Sequence, residues 1–339
     1  MFNLEFITMA APRISNGMGI FKPLYWLFGQ AMKYLLIAFD YRYFLALIVF
    51  TVLTRLVLFP LNVRQQKTMA QTNRIQPKIQ KIQKKYNVNS ISDPKQRQAA
   101  NKKMQDEMQA LYQREGHNPM NMGCGPMAFQ MVFLMGIIGI IYYPLQYIIG
   151  IKGFDEASEA IAKAISFKGS YFQLEIIQGF DKYKDILATK FPEMFTPEKI
   201  KEIIEYKSHL AIGSLDMSKI PQFKEGGILL IIPALAFATS MLSSVISTLI
   251  QKKTNPAMAQ QSQQMMLMML MMPLFSGYIA FKVPAAVGFY WIISNIVAVI
   301  QQLVTAKFFP PRRNIARQMV ENTIERRARE ESIKKAQGR

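Results

Sequence analysis

The sequence predicts an all-α polytopic membrane protein, with five transmembrane helices and a helical hairpin on the cytoplasmic side. Three observations carry this expectation. Half of the 339 residues are hydrophobic, yet the formal net charge is +19. Basic loops between apolar spans explain both, whereas a soluble domain of this size rarely combines them. Five apolar stretches, Tyr43 to Val63, Pro126 to Ile151, Gly227 to Ile250, Met265 to Phe281 and Pro284 to Val304, approach or exceed the length needed to cross about 30 Å of hydrocarbon. They are also too long for a nucleic-acid-binding domain, the other common home of so basic a chain. Lastly, a single arginine, Arg55, interrupts the first stretch. An Arg near a span centre costs about 2.5 to 3.5 kcal/mol, which the apolar neighbours outweigh at about 0.3 to 0.6 kcal/mol each. The span therefore inserts, and the charge needs water, a polar partner or a route to the surface.

Residues 1–42 are expected to form an external N-terminal segment. Its first residues lack the basic start, apolar run and small-residue cleavage site of a secretory signal, so no cleavage is expected. Phe21 to Phe39 is apolar but short and carries Lys33 with Tyr25, Trp26 and Tyr34, which suits a helix lying in the interface; a sixth span is the alternative. The first transmembrane helix, 43–63, leads into a cytoplasmic helical hairpin, 64–117. Ile75, Ile79, Ile82 and Tyr86 recur at helical spacing, as do Met104, Met108, Leu111 and Tyr112, giving two faces that can pack together. Asn87 to Ser92 supplies the turn, Asp93 and Pro94 begin the second helix, and Gly116 and Pro119 end it. Pro77 is a candidate kink in the first.

The second span, 126–151, precedes an external loop or insertion, 152–225. Its runs DEASEAIAKAI and TPEKIKEIIEYK read as helices, the latter with Thr196 and Pro197 at its start. A third span, 227–250, a cytoplasmic loop, 251–264, and two more spans, 265–281 and 284–304, follow. Lys282 and Pro284 mark the turn between the last two, because the combined apolar run far exceeds one membrane thickness. A basic cytoplasmic tail, 305–339, closes the chain. Orientation follows from charge. The hairpin is strongly basic, and the tail carries ten Lys/Arg against four acids, whereas Lys152 to Glu225 carries eleven Lys against twelve acids. Basic loops stay inside, so the hairpin and tail are expected in the cytoplasm and the N-terminus outside.

No catalytic constellation is visible. The two histidines fall on opposite sides of the membrane in this topology, and no zinc-protease, CxxC or phosphate-loop motif occurs. The chain is therefore read as no enzyme, with no cofactor or metal. Cys124 is the only cysteine, so no intramolecular disulfide forms. What remains is polar residues inside the spans: Arg55, Gln130, the ridge Ser240, Ser243, Ser244, Ser247 and Thr248, and Tyr290, Trp291, Ser294, Asn295 and Gln301. The serines suit hydrogen bonding between close-packed helices. Arg55 either snorkels toward the cytoplasmic surface or faces a polar groove. No Asp or Glu lies in any of the five stretches, so a carboxylate beside Arg55 inside the span region has to arrive with a ligand. The methionine run from Met265 to Met272, with Met265, Met268, Met269 and Met272, offers an adaptable apolar surface; ordinary lipid-facing packing is the alternative.

Three ordered segments carry a family resemblance: TRLVLFPLNVRQQKTMAQTNRIQPKIQKIQKKY, MQDEMQALYQREGHNPMNMGCGPMAFQ and FKVPAAVGFYWIISNIVAVIQQ. Together they resemble the YidC-type membrane protein insertases and their organelle relatives. The resemblance implies a five-helix core around a groove open to cytoplasm and lipid, with Arg55 at the position of a substrate-contacting arginine. It places Gln130, Tyr290, Trp291 and Asn295 among the core motifs, and these with Arg55 and the polar Ser294 are the expected substrate-binding groove. It implies a bacterial cell membrane location, nascent membrane proteins and lipids as partners, and the Sec translocon and ribosome as further ones, the latter through Arg312 to Arg339. No small-molecule substrate is expected. The chain looks like a Gram-positive-type member without a large periplasmic domain, and the insertion around 153–209 is longer than the family leads one to expect. A secondary transporter of a small anion bound at Arg55, and a membrane-bound ribosome receptor, remain the alternatives from the residues alone; the internal repeat of such transporters is not evident.

Overall fold

A computed structural model of the chain describes residues 19–115, 124–167, 169, 171–222, 227–254 and 263–308, with scattered tail positions. Within these, side chains at 65–74, 76, 89, 124–131, 251–270 and 272 are not described. The described residues are almost entirely helical, and the chain divides into two compact units.

The first unit comprises Met1–Leu56, Phe129–Leu242 and Leu270–Val297. Helix α1 is Lys22–Ala38, with Pro23 in its first turn where a missing N–H costs nothing. A tight reversal follows, in which Asp40 and Tyr41 both have positive φ, 49° and 58°. Neither is glycine, so each left-handed residue costs about 1 to 2 kcal/mol. Packing across the turn offsets this: Phe28 of α1 meets Phe50 of the next helix edge-on at 5.4 Å. That next helix, α2, is Tyr43–Tyr86. The span expected at 43–63 and the first hairpin helix are thus one continuous 44-residue helix, with Pro60 and Pro77 inside it.

Helix α4, Cys124–Tyr142, is shorter than the stretch expected from Pro126 to Ile151. Pro144 explains the break: it disfavours helical geometry at the residue before it, and Tyr143 leaves the helix at φ −121°, ψ 50°. A single turn, α5, Pro144–Tyr147, follows. Helix α1 crosses this region so closely that a Cβ on Gly29 would lie 2.2 Å from the Tyr147 carbonyl oxygen, which makes glycine obligatory there.

The insertion holds four helices, α6 Phe154–Ala164, α7 Phe172–Gln178, α8 Phe180–Lys190 and α9 Pro197–Ser208. Two short antiparallel strands, β1 Ala211–Ile212 and β2 Leu215–Asp216, turn at Gly213, whose φ is +60°. Thr196 caps α9 by accepting from the Lys199 N–H at 3.3 Å. The insertion is not a separate globule. Phe154, Phe180, Phe195 and Tyr206, each no more than 1% exposed, belong to the same buried cluster as Leu47 of α2, Ile137 of α4 and Val287 of the last helix. Burial pushes the Tyr206 phenol well above its ordinary value.

The second unit comprises Val57–Ala128, Ser243–Met269 and Ala298–Arg339. Within it the end of α2 turns at Asn87, φ 35°, into α3, Pro94–Arg114, capped by Asp93 accepting from the Lys95 N–H at 3.1 Å. Pairing of Lys85 with Glu107 and of Lys78 with Glu115 makes the two arms antiparallel. Ile75, Ile79 and Ile82 are buried, and Met104, Met108, Leu111 and Tyr112 are half-buried. Residues 116–123 lie outside the described set, so the Gly116–Pro119 stop is not placed.

The remaining long helices are α10 Ile231–Thr254, α11 Gln263–Ala280 with Pro273 inside, and α12 Ala285–Phe308. The α11–α12 turn runs through Lys282 and Pro284, where the apolar run had to fold back. By length and apolarity three described helices can cross a membrane: Tyr43–Arg64, Ile228–Ile250 and Ala285–Phe308. Large apolar residues are exposed along one face of α10, at Leu242, Val245 and Leu249, and of α12, at Ile296, Ile300 and Leu303. Such stripes have lipid as their natural solvent. The protein is an all-α polytopic membrane protein.

Candidate functional site

Arg55 lies on α2 and is only partly exposed. Its Nε donates to Ser294 Oγ of α12 at 2.9 Å, and its Nη2 approaches the same oxygen. Ser294 is 3% exposed. The guanidinium therefore turns inward to a buried hydroxyl, while Leu53, Leu56 and Val57 on the same helix are exposed. Serine supplies an oxygen acceptor and carries no charge of its own.

The other hydroxyls near Arg55 on α2 point their hydrogens at their own helix. Thr51 is fully buried and donates to the Leu47 carbonyl at 2.6 Å; Thr54 donates to the Thr51 carbonyl at 2.9 Å. Such bonds remove the cost of a buried hydroxyl without fixing a partner helix.

On α12, Asn295 Nδ2 donates to Thr239 Oγ1 of α10 at 3.3 Å, and Thr239 itself donates to the Leu235 carbonyl at 2.7 Å. This orientation leaves the threonine oxygen to accept the amide. Tyr290 is buried at 7% exposure and Trp291 is half-buried against the core. Ser294 and Asn295 thus tie α12 to α2 and α10 respectively.

In the second unit, Asn62 Nδ2 donates to Gln301 Oε1 at 3.4 Å. Gln302 Oε1 is buried with no hydrogen-bond partner among the described residues. Ser240, Ser243, Ser244, Ser247 and Thr248 are half-buried, and Thr248 donates to the Ser244 carbonyl at 2.8 Å.

Of the residues singled out by sequence, Arg55, Tyr290, Trp291, Ser294 and Asn295 are placed, and Arg55 and Ser294 are brought together. The side chains of Gln130, Met265, Met268, Met269 and Met272 lie outside the described residues. Sequence reasoning passed over Thr239 and Asn62. Thr239 precedes the serine ridge by one residue and was the available signal; Asn62 sits one heptad beyond Arg55 on the same helix. Among the described residues, no group of three or more His, Cys, Asp or Glu is placed to hold a metal ion.

An arginine on an apolar span, turned to a buried hydroxyl on a neighbouring helix, belongs to a polytopic membrane protein with polar groups inside its helical core. The comparisons with known proteins say which kind. The family described as 60Kd inner membrane protein matches residues 35–312, and the chain belongs to that family. A membrane protein insertase YidC of Listeria monocytogenes is 27% identical over 294 residues, covering 86% of this chain and 74% of the relative. One from Oceanobacillus iheyensis is 28% identical over 271 residues, 79% of this chain and 76% of the relative. Over a shorter stretch of 91 residues, 27% of this chain and 34% of the relative, an insertase of Alkalihalophilus pseudofirmus is 41% identical. The matches and the apolar helices make the chain a YidC-type insertase, a multi-pass protein of the bacterial cell membrane.

Proposed function

We propose that Arg55 is the attracting charge of a hydrophilic groove that lets the polar tail of a client cross part of the bilayer. The observation that carries the reading is the inward hydrogen bond from Arg55 to buried Ser294. In this reading Tyr290, Trp291 and Asn295, on the same helix as Ser294, belong to the same groove.

Magnitudes separate drive from guidance. A client helix of about 20 apolar residues gains about 6 to 12 kcal/mol on entering lipid at 0.3 to 0.6 kcal/mol each. A tail carboxylate near the bilayer centre costs roughly 3 kcal/mol, and a positive charge about 4 Å away returns a comparable amount at an effective dielectric of about 20. Arg55 therefore lowers the barrier to tail passage, while burial of the client's apolar helix drives the reaction. The membrane potential adds about 2.3 kcal/mol per charge per 100 mV. No bond is made or broken, so no catalytic group is needed.

In this reading the hairpin and tail face the cytoplasm, the N-terminus and residues 152–225 lie outside, and the protein works alone or beside the Sec translocon. The basic tail from Arg312 approaches the ribosome through its phosphates. Depleting the protein and following a short-tailed single-span client tests the role; undiminished insertion overturns it. Orientation is tested by cysteines at exposed positions 102 and 184, in a background with Cys124 replaced, reacted with an impermeant maleimide. Labelling of position 184 only from the cytoplasm overturns the topology.

A further inference from the structure

The insertion has no role in the account above, yet it bonds to the ends of the two helices that carry Arg55 and Ser294. At the start of α12, the first backbone N–H groups have no intrahelical acceptor. Here the insertion supplies acceptors: Ala285 N–H donates to the Lys219 carbonyl at 2.8 Å and Ala286 N–H to the Met217 carbonyl at 2.8 Å. Tyr171 adds a bond from its hydroxyl to the Lys282 carbonyl at 2.8 Å, in the turn before α12. At the start of α2, Tyr43 packs edge-on against Tyr206 with ring centroids 5.7 Å apart, and both rings are buried.

We propose that residues 152–222 are a register clamp for the groove: by holding the starts of α2 and α12 they set the height at which Ser294 meets Arg55. The clamp needs no ligand or partner of its own. A helix advances 1.5 Å and turns 100° per residue. Axial slip of α12 by one residue therefore carries Ser294 out of reach of Arg55, whose Nε–Oγ distance is 2.9 Å. Packing among apolar side chains along a membrane helix resists such slip weakly, since lipid tails are an equally apolar partner. Hydrogen bonds to the terminal N–H groups resist it directly, because they fix position along the axis. Two ion pairs extend the hold to α1, Lys22 with Asp155 at 2.8 Å and Lys33 with Glu202 at 3.1 Å.

The functional arm of the test rests on the Arg55 reading above, and the structural arm does not. Hydrogen exchange of the full-length protein in nanodiscs reads the amides of Ala285 and Ala286, which in an uncapped helix exchange near the unprotected rate. The clamp gives protection at both, and Tyr206→Ala and Tyr171→Phe each speed their exchange, Tyr206→Ala by about tenfold or more. Tyr206→Phe, which keeps the ring, retains protection. In parallel, insertion of single-span clients with acidic or neutral tails is compared. Tyr206→Ala reduces the preference for acidic tails that Arg55 confers, without a further reduction in an Arg55→Ala background. Unprotected amides in the unaltered protein, or exchange unmoved by either substitution, overturns the clamp. Faster exchange with an undiminished Arg55-dependent preference overturns its positioning role. Absence of any preference in the unaltered protein counts against the Arg55 reading, and the exchange arm then judges the clamp alone.

Discussion

The insertion and the basic hairpin are both small helical additions to membrane helices, but they are held together by different physics. The insertion shares one apolar core with the span ends, built on aromatic residues such as Phe154, Phe180 and Tyr206, and bonds to helix termini through backbone groups. The hairpin buries only Ile75, Ile79 and Ile82 on one arm and half-buries Met104, Met108 and Leu111 on the other, with an exposed Lys85–Glu107 pair between them. Exposed pairs contribute little, since water competes with them and salt screens them. The insertion is therefore the stiff addition and the hairpin the yielding one. A rigid part suits fixing the register of polar groups; a yielding part suits contact with changing partners.

That contrast breaks if the two regions respond alike to loss of their buried side chains. Phe180 is fully buried at 0% exposure, so Phe180→Ala is expected to destabilise by about 3 to 5 kcal/mol through lost transfer energy and a cavity. Thermal unfolding in detergent should show it as a large shift of the main transition. Ile79→Ala in the hairpin is expected to cost less, about 2 kcal/mol, and to act locally. Exchange of the α3 amides should speed up while the main transition stays in place. Equal shifts of the main transition by the two variants would remove the distinction.

The smallest effect sharpens it. Lys85, bonded at 2.8 Å, and the neighbouring Tyr86 hydroxyl hold the Glu107 carboxyl below the usual carboxylate range. A carboxyl depressed in the folded state contributes stability above its unfolded value and loses it as pH falls through the folded one. Protection of α3 should therefore weaken slightly below about pH 4, and Glu107→Gln should weaken it at neutral pH while flattening this pH dependence. Exchange of α3 against pH is the measurement.

Much of this arrangement was legible in the residues. Arg55 announced itself as a charge in an apolar run, Asp93 and Thr196 marked helix starts, and Lys282 with Pro284 marked the fold-back, because each is a local signal. Ser294 was named as a polar residue of the last span, but its pairing with Arg55 was not, since helical periodicity tells which residues share a face and not which helix that face meets. Thr239 was missed for the same reason. The unbroken helix through Arg64 was hidden by the change from apolar to basic residues, which alters solvent and not helix propensity. The core of the insertion was hidden too. Phe172 to Lys190 has no long periodic stripe, and its aromatics bury against elements far away in sequence.

The central claim is that the charge at Arg55 acts on charge in the client's tail, and a double-mutant cycle measures it. Insertion into proteoliposomes is followed for one single-span client with a tail aspartate or asparagine, by the unaltered protein, Arg55→Lys and Arg55→Ala. The account predicts coupling of about 1 kcal/mol or more, a roughly fivefold effect, with Arg55→Ala impairing the aspartate client and largely sparing the asparagine one. Arg55→Lys should keep most of the effect, because the charge remains. Equal loss for both clients in Arg55→Ala, with no coupling, would contradict it.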